Sequence, residues 1–219
     1  LLLLLTGSAQ ASAVAAALGF CTKLFPVVLL PIALCSIAGW QKKLAYLMTF
    51  SLTSAALLLP SALLSPEMTL ASLRIIWSRP PWETVWALAQ GVYGPGSVGP
   101  LSARTDSNFW VPAAQPGTEH WWIAVVFAAL LLTFYWKFWN TRDGYKIVAG
   151  VGFTLCTLLL YSKGYSPQFL IWLAPLIVVL LPNRFGAIYL VILGIANLIE
   201  APLYLGFFPK RPELLYLAV

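Results

Sequence analysis

The chain has 219 residues, of which 60% are hydrophobic, 14% aromatic and only 9% charged, with a mean hydropathy of +0.84. Soluble domains carry roughly 25% charged residues, so this composition excludes a water-covered globule and implies an all-α, polytopic membrane protein with lipid over most of its surface. The net charge of +6 comes from basic residues scattered over short loops, which points to membrane topology and an acidic lipid or substrate, and away from nucleic acid.

Apolar segments follow one another along the chain and predict about seven spans. Segment A, about residues 1–20, carries small residues at helical spacing (Ser8 and Ser12; Ala9, Ala13 and Ala17), which suits close helix packing. It starts at Leu1 inside an apolar run with no basic region before it, so it is not a signal peptide; the chain is expected to be the C-terminal part of a longer protein. Segment B, about 24–40, holds Pro26 and Pro31 and is short for a span that needs ~20 residues. A tilted, kinked or re-entrant helix fits it. Segment C covers about 44–64, after Gln41-Lys42-Lys43.

A long insert at 65–119 separates segments 1–64 from 120–219. Ser65-Pro66-Glu67 predicts a helix start, and Trp82, Val85, Trp86 and Ala89 form a second apolar stripe with Glu83 and Gln90 on other faces. Both stretches are expected as short helices in the membrane interface. From Gly91 to Gly117 the chain is Gly- and Pro-rich and reads as a loop. Segments D (about 120–139), E (about 145–161), F (167–181) and G (about 185–205) follow. The three cysteines lie in apolar segments without metal-ligand spacing and are expected as buried structural thiols.

Alternation of sides puts Lys42, Lys43, Lys137, Arg142, Lys146 and Arg184 on the cytoplasmic face, as the positive-inside tendency asks. Lys23, the insert and the Lys163 turn then share the opposite face. In that turn Ser166 is placed to cap a new helix with Pro167 at its first position. Its free N–H groups, near Gln168, and Lys163 would together suit a phosphate; a lysine snorkelling at a span end is the plainer reading of both Lys163 and Lys23.

Glu200, with Asn197 one turn earlier, is an ionisable group inside a span, where function is the default hypothesis and a structural partner for a lysine or a freed backbone group the alternative. Arg74, Arg79 and Glu83 offer a guanidinium and a carboxylate in the insert, or only a solvated interfacial helix. Asp106 reads as a solvated loop residue and His120, the only His, as an interfacial anchor. No Gly-rich phosphate cradle, nucleophile elbow or clustered metal ligands occur.

Four stretches occur in order: 23–31 (KLFPVVLLP), 79–88 (RPPWETVWAL), 162–175 (SKGYSPQFLIWLAP) and 197–204 (NLIEAPLY). They resemble the C-terminal half of bacterial integral-membrane glycosyltransferases of the GT-C type, nearest to polyprenol-phosphate-mannose-dependent mannosyltransferases. The resemblance implies a multi-pass protein of the bacterial inner membrane that moves a sugar from a polyprenyl-phosphate donor to a lipid or glycan acceptor on the extracytoplasmic side. It implies a transfer that is metal-independent or assisted by a divalent cation. The acidic base of such enzymes lies in a first outer loop, N-terminal to this chain, so the catalytic residue stays unknown. Lys23, Arg79, Glu83, Lys163, Ser166, Gln168 and Glu200 are the expected substrate-binding residues. The alternative function is a transporter or flippase of a phosphate-bearing lipid or sugar, to which broken helices and an intramembrane Glu200 also conform.

Overall fold

The computed structural model describes residues 1–78, 81–92, 121–208 and 213. The described residues form helices joined by turns, with one isolated β-bridge. In chain order the helices are α1 (Leu2–Leu5), α2 (Ala9–Thr22), α3 (Leu29–Ser36), α4 (Trp40–Leu64), α5 (Pro66–Ser78), α6 (Val85–Ala89), α7 (Trp121–Phe138), α8 (Gly144–Tyr161), α9 (Leu170–Leu180) and α10 (Arg184–Leu198). Single 3-10 turns, Phe25–Val28 and Pro167–Phe169, lead into α3 and α9, and α10 continues as a π-helix over Ile199–Phe207.

Among the described residues, three helices are long and apolar enough to cross a membrane: Trp40–Leu64, Gly144–Tyr161 and Arg184–Phe207. At 1.5 Å per residue even the 18-residue α8 extends about 27 Å, close to the ~30 Å of a bilayer's hydrocarbon core. Four shorter apolar helices accompany them: Ala9–Thr22, Phe25–Ser36, Trp122–Phe138 and Pro167–Leu180. The composition-based expectation of an all-helical membrane protein agrees with this inventory.

Several local expectations change. Segment A breaks at Thr6-Gly7, where Gly7 takes φ +83°, a conformation that costs glycine little. Segment B is a 3-10 turn around Pro26 followed by eight α-helical residues. Lys42 and Lys43 are not in a loop but in the first turn of α4, and Lys43 is buried with its ammonium 3.7 Å from the centre of the Trp139 ring. The second stripe of the insert is helical only from Val85, which leaves Trp82 outside it. Of the cysteines only Cys35 is buried; Cys156 is exposed on α8, because its position falls off the buried stripe of that helix.

The chain divides into two compact units, Leu1–Leu70 with Trp122–Thr157, and Ala71–Trp121 with Leu158–Val219. In the first, α2 packs along α4. Ser12, Ala13, Ala16 and Ala17 form the buried face of α2, and Tyr46, Phe50 and Ser54 are buried at intervals of four on α4. Small residues on one helix thus leave room for large ones on the other. Phe20 meets Phe50 with ring centres 5.6 Å apart, and Thr49 donates to the Gln10 side-chain oxygen at 2.6 Å. Gly150 of α8 lets Phe138 and Ile32 approach its backbone closely. Beside it Tyr135 and Thr154 hydroxyls lie 3.0 Å apart, and the Phe134 and Phe153 rings stack at 4.2 Å.

Candidate functional site

The second unit holds most of the polar residues that the sequence singles out. Its centre is the turn after α8. Ser162 donates its hydroxyl hydrogen to the Gly164 carbonyl at 2.8 Å and closes the turn on itself. Segment 81–92 of the insert then lies against this turn as a single parallel β-bridge between Trp82 and Gly164. The Trp82 N–H donates to the Lys163 carbonyl at 2.9 Å, and the Tyr165 N–H donates to the Trp82 carbonyl at 3.2 Å.

Three further contacts fix the segment. Thr84 is the N-cap of α6: its hydroxyl oxygen accepts from the Ala87 N–H at 3.2 Å and its hydrogen goes to the Lys163 carbonyl at 3.3 Å. The Trp86 indole N–H donates at 2.8 Å to the Leu160 carbonyl, one of the last carbonyls of α8, which no intrahelical donor can reach. Gly164 packs against the Trp82 indole, and a Cβ there would clash with its six-membered ring. The close approach of backbone and ring is what requires glycine.

This arrangement carries Glu83 into the interior. Glu83 is 4% exposed and sits at φ +52°, a left-handed conformation that costs a non-glycine residue about 1–3 kcal/mol. Its neighbours' hydrogen bonds hold it there. Its side chain is in hydrogen-bond contact with Glu200, which is 2% exposed at the start of the π-helix. Burial pushes the Glu83 carboxyl above the usual carboxylate range, and the hydrogen bond with Glu200 acts in the opposite direction. A hydrogen bond between two carboxyl groups needs a proton on one of them.

Glu200 Oε1 has no hydrogen-bond partner, and neither has Asn197 Oδ1, buried one turn earlier. One orphaned acceptor is thus an oxygen of the carboxyl pair itself, and the other lies three residues earlier on the same helix. Tyr165 faces the same group: burial raises the pKa of its phenol and the negative charge of Glu200 raises it further. Buried Tyr204 follows Glu200 by four residues in the same π-helix. Tyr165, Phe169 and Trp172 form an aromatic row, with ring centres 5.6 Å apart for the first pair and 4.6 Å for the stacked second pair.

The remaining expected residues are distributed as follows. Lys163 has an exposed side chain while its carbonyl anchors segment 81–92. Ser166 occupies the N-cap position in extended conformation, but its hydroxyl makes no capping bond, and the helix opens as a three-residue 3-10 turn. Ser166 is half-buried and Gln168 exposed. A preformed cradle of capped N–H groups is thus replaced by a tighter turn whose N–H groups bond locally, Phe169 N–H to the Ser166 carbonyl at 2.8 Å. Lys23 belongs to the first unit, at the C-cap of α2. Arg79, Asp106 and His120 lie outside the described residues.

Sequence reasoning identified Glu83 and Glu200 separately but not as a pair, and it missed Thr84 and Tyr165. Thr84 was legible in principle, as a hydroxyl directly before an apolar helical stripe. Among the described residues no group of three or more His, Cys, Asp or Glu clusters for a metal. Glu200 Oε1 and Asn197 Oδ1, three residues apart on one helix, are oxygen acceptors of the kind that hard divalent cations take. Compared with models of protein families, with curated proteins and with solved structures, the chain matches none.

Proposed function

We propose that this protein transfers a sugar, mannose by its resemblance, from a polyprenyl-phosphate donor to a lipid or glycan acceptor on the extracytoplasmic side of a bacterial inner membrane. About seven spans, the four shorter apolar helices counted with the three long ones, go with this reading. The observation that supports it best is the joining of segment 81–92 to the Lys163 turn. It puts an exposed lysine on the same short turn whose backbone anchors the segment that carries buried Glu83.

A polyprenyl-phosphate sugar is a monoanion that becomes a dianion as it leaves. Lys163 is suited to bind the phosphate and to stabilise the charge gained when the bond between the anomeric carbon and the phosphate oxygen breaks. The acceptor oxygen forms the new bond and gives its proton to a base not assigned in this chain. Ser166, Gln168 and Arg79 stand as further substrate contacts on this reading, and Glu83 and Glu200 as acceptors near the sugar.

The test is transfer of labelled mannose from polyprenyl-phosphate mannose by the membrane-embedded protein. A lost charge-assisted phosphate contact is worth about 1.5–3 kcal/mol, so Lys163→Ala should slow transfer roughly tenfold to a hundredfold. Wild-type protein that moves the labelled lipid across the bilayer without transferring sugar would establish the transporter instead.

A further inference from the structure

We propose that Glu83, Glu200 and Asn197 form a binding site for one hard divalent cation, of the Mg2+ or Mn2+ class, at the junction of segment 81–92 with the π-helix. The inference does not rest on sugar transfer.

Charge balance is the first reason. Glu83 and Glu200 are 4% and 2% exposed, and each ionised carboxylate taken out of water costs several kcal/mol unless compensated. A divalent cation compensates both carboxylates at once.

Coordination is the second. Glu200 Oε1 is a buried acceptor with no partner, on a side chain that is almost wholly enclosed. Asn197 Oδ1, three residues earlier on the same helical face, is a buried acceptor in the same condition. Acceptors without donors at one place call for an electropositive ligand. Two carboxylates and one amide carbonyl are the oxygen ligands that such cations take, with the remaining positions left to water or to an anionic oxygen.

The backbone supplies the third reason. Glu83 is held at φ +52° by hydrogen bonds on both sides of it, Trp82 to Lys163 and Thr84 to Lys163. The π-helix begins at Ile199, so Glu200 sits where the regular α-helical repeat is interrupted. Such interruptions are frequent at functional sites because they re-aim one side chain. Two costly backbone features thus converge on the two carboxyl groups.

Binding is an exchange. Both carboxyl groups bind the cation as carboxylates, and the protons that the pair holds without it leave to solvent.

The protein in lipid nanodiscs, without donor lipid, is titrated with Mn2+, and free Mn2+ is followed by electron paramagnetic resonance. The expected result is one saturable site, weakened at least tenfold in Glu83→Gln and Glu200→Gln. Asn197→Asp, which adds a third carboxylate, should bind more tightly than wild type, a gain that misfolding cannot produce. Absence of saturable binding in wild type, or unchanged affinity in the Gln variants, overturns the proposal. Should the Gln variants fail to fold, Asn197→Asp decides: tighter binding sustains the site and unchanged affinity refutes it. Protein that binds Mn2+ but transfers no sugar would keep this site and lose the proposed activity, and the converse result would do the reverse.

Discussion

Glu83 is the residue at which the local chemistry is most unusual. A left-handed glutamate is strained, a buried carboxylate is costly, and a buried carboxylate facing another is costlier still. Its carboxyl titrates above the ordinary value of 4.5 in the folded protein. A raised carboxyl favours the docked state below the unfolded value, and this contribution is lost as the pH rises through the folded value. In chelator-treated protein, proteolytic susceptibility of segment 81–92 should therefore increase with pH above the usual carboxylate range. Glu83→Gln should flatten that profile, and a profile unchanged by it would show that another group controls docking. Thr84 gives a simpler expectation at the same scale. Removing an N-cap hydroxyl costs about 1 kcal/mol, and Thr84 also binds the Lys163 carbonyl. Thr84→Ala should loosen segment 81–92 about fivefold in amide exchange, and serine in its place should restore most of the protection.

Among the elements, segment 81–92 is informative because its short helix is not what holds it. The five residues of α6 are too few to be stable alone. The segment is fixed by the Trp82–Gly164 bridge and by the Trp86 indole on the Leu160 carbonyl. Gly164→Ala places a methyl in clash with the Trp82 ring and should displace the whole segment, visible as a shift of tryptophan fluorescence and as new cleavage near residue 82. If Gly164→Ala leaves both unchanged, the ring does not lie on that backbone. The apolar stripe at Val85, Trp86 and Ala89 was readable as a helix, but periodicity also drew Trp82 into it. Trp82 obeys a different partner. Backbone pairing with a turn some eighty residues away leaves no mark on local spacing, which is why the start of the helix was misjudged by three residues.

At the scale of a whole compact unit, the packing of α2 on α4 shows how residue size sorts the faces of a helix. The buried face of α2 is Ser12, Ala13, Ala16 and Ala17, whereas Val14 and Leu18 on the same helix are exposed. Ala16→Leu should overpack the contact with α4 and destabilise the first unit by about 1–3 kcal/mol, while Leu18→Ala should leave its melting temperature nearly unchanged. Equal effects of the two substitutions would mean that the packed face is not the one described. The absence of a hydrophobic force between helices in lipid explains the pattern: close van der Waals approach has to hold them, and small residues permit it.

The sequence alone determined the class of this protein, because 9% charged residues cannot cover a globule in water and long apolar stretches must lie in lipid. It also marked Glu83, Lys163 and Glu200 as chemically exposed choices, since ionisable groups in or beside apolar spans are costly wherever they end up. Only the tertiary structure decided that Glu83 meets Glu200. That contact depends on a strained φ angle at Glu83 and on a glycine packed against an indole, both set by the pairing of segment 81–92 with the distant Lys163 turn, and on the π-helix after Leu198.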